Sequence, residues 1–183
     1  MTYYPIIAYT LGALTVFALV ISAVLISALS LSAGRAALRA ALGDGVYHPI
    51  IWAWLVSLTA MSGSLFFSAG AGFIPCHLCW YQRIAMYPLV FVLGVGALKR
   101  DPDVWRFALP LPFIGFVISA YHVALQFQPA IELVACDEGA PCSARYVAVF
   151  GFVSIPVMAG AAFLLIAALL LTVRTVQHSD STD

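Results

Sequence analysis

No aspartate, glutamate, lysine or arginine occurs between Met1 and Gly34. A helix crosses a bilayer with about 20 consecutive apolar residues, so this stretch is long enough to span by itself. Similar stretches follow from about Pro49 to Ala69, Trp80 to Leu98, Phe107 to Phe127 and Phe150 to Val173. Over its 183 residues the chain is 63% hydrophobic and 9% charged, outside the range of soluble globular domains. A backbone in lipid must satisfy its own hydrogen bonds, which excludes open sheets and leaves helices.

The expected fold is therefore an all-α integral membrane protein. Crossings two to five should form an up-down four-helix transmembrane bundle, with one additional N-terminal transmembrane helix packed on its outside. Residues 1–45 would hold that helix and a cytoplasmic connection, 46–175 the bundle, and 176–183 a disordered cytoplasmic tail. A cleaved signal peptide is the competing reading of the first stretch, but the cationic segment such a peptide needs is missing, and the first positive charges, Arg35 and Arg39, come after the apolar run. Gly43-Asp44-Gly45 marks the turn before the second crossing, which Tyr47, Trp52 and Trp54 open with aromatics of the headgroup type.

Charge sets the expected orientation. Arg35, Arg39, Lys99, Arg100, Arg106 and Arg174 fall on one side of the alternating crossings, while Arg145, Glu132, Asp137 and Glu138 fall on the other, with Arg83 near its boundary. The positive-inside rule makes the first side cytoplasmic, giving a multi-pass protein of the cell (inner or plasma) membrane whose cysteine-bearing loops are both extracytoplasmic. Net charge is zero, and there is no basic patch with interleaved aromatics, so the bilayer, and not nucleic acid, is the expected surroundings.

All four cysteines lie at segment ends. Cys76 and Cys79 form a Cys-x-x-Cys pair, and Arg83 follows Cys79 by four residues, one helical turn along the same face. A cation and a helix N-terminus both favour a thiolate, so Cys79 is a candidate for redox chemistry. Stabilisation is a poor reason for a bridge across so short a loop. The same spacing also opens many zinc sites, and a clip of Cys76, Cys79 and His77 is the bland alternative. Cys136 and Cys142 form a second short-range pair, with Gly139 and Pro141 shaping a turn between them; a plain loop staple is its alternative. Nearby Asp137 and Glu138 make Cys136 a poorer thiolate than Cys79. His122 and Gln126, spaced i, i+4 near the end of the fourth crossing, are expected at about the depth of Arg83. With Arg83 and Cys79 they would line a site for an amphipathic ligand with a lipid-soluble tail.

These residues carry a resemblance. Pro75-Cys-x-x-Cys-Trp-Tyr-Gln-Arg83, Met86-Tyr87-Pro88, Tyr121-His122-x-x-Leu125-Gln126, Cys136-x5-Cys142-Ser143 and Phe150-Gly151-Phe152-x-x-Ile155-Pro156 look like the DsbB/BdbC family of disulfide-forming membrane proteins, over about Trp52 to Arg174. The resemblance implies a quinone-dependent protein-disulfide oxidoreductase. A membrane quinone, ubiquinone or menaquinone, would oxidise Cys76/Cys79, and the second pair would oxidise an extracytoplasmic thioredoxin-fold thiol oxidase of the DsbA/BdbD type. Carried over, Cys79 would face the quinone ring, Arg83 would hold the quinone and stabilise that thiolate, and His122 and Gln126 would lie near it. Cys136 would exchange with the partner, and Cys142 would pass the exchange to Cys76. Two features depart from the better-known pattern: the second pair is spaced by five residues, as in BdbC-like members, and the first helix has no counterpart in the motif. The rival readings are a quinone reductase like the vitamin K epoxide reductases, a membrane protein whose cysteines only staple or chelate, and a thiol-reductant conductor.

Overall fold

The structure, a computed structural model, describes residues 4–43, 45, 47–132, 136 and 140–180. The helices are α1 Tyr4–Ser30, α2 Ser32–Leu42, α3 His48–Leu65, α4 His77–Lys99, α5 Trp105–Ala108, α6 Pro110–Phe127 and α7 Ile155–Asp180. Helix α3 ends in one wider turn, Phe66–Gly70, in which the Ala71 N–H reaches the Phe66 carbonyl. Among the described residues five helices, α1, α3, α4, α6 and α7, are long and apolar enough to cross a membrane, and the chain is a multi-pass membrane protein.

Four of them close into a ring, α3 on α4, α4 on α6, α6 on α7 and α7 on α3, and α1 lies outside it against α7. Lipid tails are as apolar as leucine, so close packing and not water exclusion holds such helices together. The centre of the ring is filled by Ile50 and Ala53 of α3, Leu89 and Leu93 of α4, and Phe163, Ile166 and Leu170 of α7. Gly115 makes room there: a Cβ on it would overlap the Phe163 ring.

Helix direction alternates along the chain, so both cysteine segments lie at one end of the bundle and Arg35, Arg39, Lys99, Arg100, Arg106 and Arg174 at the other. At this basic end, α4 stops where Arg100 turns left-handed (φ 53°) and Asp101 caps the next turn by accepting from the Asp103 N–H.

Local departures from the sequence reading have physical causes. The connection after α1 is itself helical, because Ser32–Leu42 is alanine-rich and alanine is the best helix former; Arg35 folds back to donate to the Leu29 carbonyl at 2.9 Å. The fourth crossing starts at Pro110 and not at Phe107, which sits in the short helix α5. Phe150 does not open the last crossing. Val149 and Val153 exchange backbone hydrogen bonds across a tight turn at Phe150 and Gly151, both with positive φ, and α7 begins at Ile155. At its far end α7 continues as helix through Asp180, into the stretch expected to be a disordered tail. Val176 is buried, and the Trp105 indole N–H donates to Gln177 at 2.6 Å. Residues 181–183, Asp44 and the acids Asp137 and Glu138 lie outside the described residues.

Candidate redox site at the cysteine end

Helix α4 starts one residue after Cys76, which makes Cys76 its N-cap, with extended backbone (φ −71°, ψ 171°) and a sulfur that accepts the Cys79 N–H at 3.4 Å. Cys79 is therefore inside the first turn. The sequence reading gave the helix end to Cys79; the structure gives it to Cys76, because capping reaches back to the residue before the first turn. Both are free thiols, with sulfurs 3.0 Å apart.

Cys136 and Cys142 are joined by a disulfide across Cα atoms 5.8 Å apart. Cys142 is buried (1% exposed) in one apolar cluster with Cys76, Leu78 and Leu125, and half-buried Cys79 and Cys136 pack against that cluster. The fold thus brings the two pairs, far apart in sequence, together. Of the second pair Cys136 is the more accessible sulfur.

His122 stands between the pairs. Its ring is buried, with Nε2 3.0 Å from the Cys142 carbonyl oxygen and 3.8 Å from the Cys76 sulfur, while Nδ1 lies 3.2 Å from the Gln82 amide nitrogen. With the Gln82 amide donating to Nδ1, Nε2 carries the hydrogen and donates toward the second pair and the first at once. The Cys76 thiol is lowered from an ordinary 9.0 to about 4: the Cys79 thiol donates to its sulfur, and His122 and the Cys79 N–H add to that, outweighing the opposite effect of burial. One helical turn on from His122, Gln126 donates to the Ala144 carbonyl at 3.2 Å and accepts from the Ser154 hydroxyl at 2.7 Å. It ties the end of α6 to the loop that carries Cys142.

A different set of residues faces the membrane interior. Cys79 and Arg83 line a cavity of about 650 Å³ between α1, α3, α4 and α7, and Ser64, Gln82 and Tyr87 line it with them. Arg83 donates from Nε to the Ser64 hydroxyl at 3.0 Å and from Nη2 to the Ser64 carbonyl at 3.1 Å, and its guanidinium lies 5.2 Å from the Trp80 ring centre. The Tyr87 hydroxyl reaches Ser64 at 3.4 Å.

The expected lining of Cys79, Arg83, His122 and Gln126 is distributed over two cavities that share Cys79. Arg83 opens on the large cavity, His122 and Gln126 border a void of about 20 Å³ beside the cysteine loop, and Cys79 lines both. Gln82 belongs to both sides, touching the cavity and holding His122. Sequence reasoning gave no role to Ser64, Gln82 or Ser154. A glutamine between Cys79 and Arg83 in an apolar helix was a readable signal; a serine on a neighbouring crossing was not.

The three ligating atoms of Cys76, Cys79 and His122 lie within 4.8 Å of one another, a grouping of the kind that holds a soft metal ion. His77, the third ligand of the alternative metal clip, is exposed and outside that group.

Comparison with known proteins places this geometry. The family model described as disulfide bond formation protein DsbB matches residues 48–173. The probable disulfide formation protein C 2 of Bacillus cereus is 45% identical over 120 residues, 66% of this chain and 86% of that protein. Disulfide bond formation protein C of Bacillus subtilis is 48% identical over 114 residues, 62% of this chain and 83% of that protein. No solved structure matches. With a family match over most of its length and paired cysteines packed together at one end of a membrane bundle, this chain belongs to the DsbB family of disulfide bond formation proteins.

Proposed function

We propose that this protein is a membrane thiol oxidase that reoxidises an extracytoplasmic thioredoxin-fold disulfide donor and passes the electrons to a membrane quinone. The observation that carries this reading is the serial placement of the sulfurs. Cys136 is the more accessible, Cys142 is buried beside Cys76, and Cys79 opens on an apolar cavity. On this reading the cysteine end faces the oxidising compartment, and the basic end faces the cytoplasm.

Each step is thiol–disulfide exchange, in which a thiolate attacks one sulfur of a disulfide and expels the other as a thiolate. A partner thiolate attacks Cys136 and releases Cys142. The partner's second thiol closes its own disulfide and frees Cys136. Cys142 then attacks Cys76 of an oxidised Cys76/Cys79 pair, releasing Cys79, and Cys136 resolves the mixed disulfide by attacking Cys142, releasing Cys76. The low Cys76 pKa makes that sulfur a good leaving group. His122 Nε2–H, held by Gln82, sits where it can orient the Cys142 backbone and meet charge on Cys76.

The cavity fits a quinone in chemical kind, being apolar along its length with a thiol, a guanidinium, a tyrosine hydroxyl and an amide at one end. When bound, a quinone supplies a two-electron, two-proton acceptor that returns Cys76 and Cys79 to a disulfide. Arg83, fixed by Ser64, would hold it on the Cys79 side. His122 and Gln126, assigned to the quinone by family resemblance, are better supported here as residues that position the cysteine loop.

The test is a trapping experiment. With the Cys136–Cys142 disulfide intact, a partner lacking its own resolving cysteine should displace Cys142 and accumulate, after acid quenching, as a mixed disulfide on Cys136; accumulation on Cys76 would reverse the proposed order. The metal grouping supports a second reading, a structural clip. Both His122 ring nitrogens already face protein partners, which favours the redox reading. Stoichiometric zinc in the purified, reduced protein would favour the clip.

A further inference from the structure

The family match begins at residue 48, so helix α1 lies outside it, and none of the exchange steps uses α1. Yet α1 forms one wall of the cavity that ends at Cys79 and Arg83. Thr15 and Phe17 edge that wall, and Leu11, Leu14, Ala18, Ile21 and Leu25 make up the rest of it. The latter five recur at steps of three and four, which places them on one face, and at the helical rise they extend along about 21 Å.

A second face of α1 does the docking. Ala8, Gly12, Thr15 and Ser22 are its buried residues, and α7 is the ring helix it packs on. Thr15 and Ser22 donate back to the Leu11 and Ala18 carbonyls at 2.7 Å, so these hydroxyls are satisfied within the helix. Near the cysteine end α1 is pinned against the Val149–Val153 turn: a Cβ on Gly12 would come within 2.6 Å of Val149 Cγ1, and the Tyr9 and Phe150 rings meet edge-on at 6.0 Å. Thr15 sits where the two faces meet, and the Leu11–Leu25 face is left lining the cavity.

We propose that α1 is a clamp for the polyprenyl tail of the quinone, closing the tail between Leu11–Leu25 of α1 and the facing residues of α3, and so favouring long-tailed over tailless quinones. This rests on the quinone reading above. The occupant follows from the distribution of polar groups. Thr59 donates to its own helix, and the mid-cavity wall offers little else that is polar, whereas Ser64, Gln82, Arg83 and Tyr87 gather with Cys79. Among the described residues a phospholipid headgroup would meet a single lining cation, Arg83, two of whose N–H groups are already given to Ser64. A neutral carbonyl-bearing ring with a long hydrocarbon tail matches that layout.

Two measurements on the full chain test it. Ala18→Trp fills the α1 wall, and the ratio of KM for a long-tailed quinone to KM for a tailless one should rise about tenfold, the sign of lost binding to the tail alone; an unchanged ratio overturns the proposal. In the unsubstituted protein, a quinone carrying a photoreactive group along its tail should label α1 between Leu11 and Leu25. Labelling confined to α3, α4 and α7 overturns it without any variant having to fold. If the unsubstituted protein reduces neither quinone, the quinone reading itself fails and takes this inference with it.

Discussion

Cys76 is where single residues matter most, because a capping N–H, a neighbouring thiol and a histidine converge on one sulfur. Its lowered pKa predicts that Cys76 in the reduced protein alkylates at a nearly constant rate from neutral pH down to about pH 5, then slows as pH falls through about 4. Cys79→Ala removes the largest cause and should move that fall to higher pH, toward the ordinary thiol range; mass-spectrometric alkylation profiles read both. His122→Ala should slow exchange between the pairs more than exchange of Cys136 with the partner, as stopped-quench thiol trapping would report. Some of this was legible in the chain. Four-residue spacing put Arg83 on the Cys79 face, and both do line one cavity. The same spacing put His122 and Gln126 on one face of α6, but spacing says which residues share a face and not what that face meets. It was the Cys142 loop that met them, through the carbonyls of Cys142 and Ala144.

At the level of helices and turns, the five crossings were legible because runs of about 20 residues with at most one charge, Arg83 in the third, leave the backbone no alternative in lipid. Their ends were less so. Phe150-Gly151 reads as apolar and continuous with α7, yet Gly151 adopts φ 79° and the chain reverses there. That turn carries Val149, on which Gly12 of α1 rests. Close approach between crossings yields a stability prediction. Gly115→Ala would drive a methyl into the Phe163 ring, which is fully buried and has nowhere to go; overpacking of this kind costs about 1–3 kcal/mol. Thermal unfolding in detergent should show the loss, and a melting temperature equal to that of the unsubstituted protein would mean that α6 and α7 have slack between them.

For the whole molecule, the decisive property is polarity along the bundle axis. Sulfurs gather at one end and six cations at the other, and a cavity leads from the second thiol of the Cys-x-x-Cys pair into the apolar interior. The placement of the cysteines at segment ends announced the first of these in the sequence. The cavity could not be read there, because it arises from α1 standing beside α3 while packing on α7, a tertiary choice that no single periodicity records. In the proposed function electrons cross from partner thiols to a quinone through both cysteine pairs. Purified protein, incubated anaerobically with a reduced thioredoxin-fold partner and a quinone, should reduce one quinone for every two partner thiols lost, and Cys79→Ser should abolish the quinone signal. Full quinone turnover by Cys79→Ser, or partner oxidation with the quinone absorbance unchanged, would contradict it.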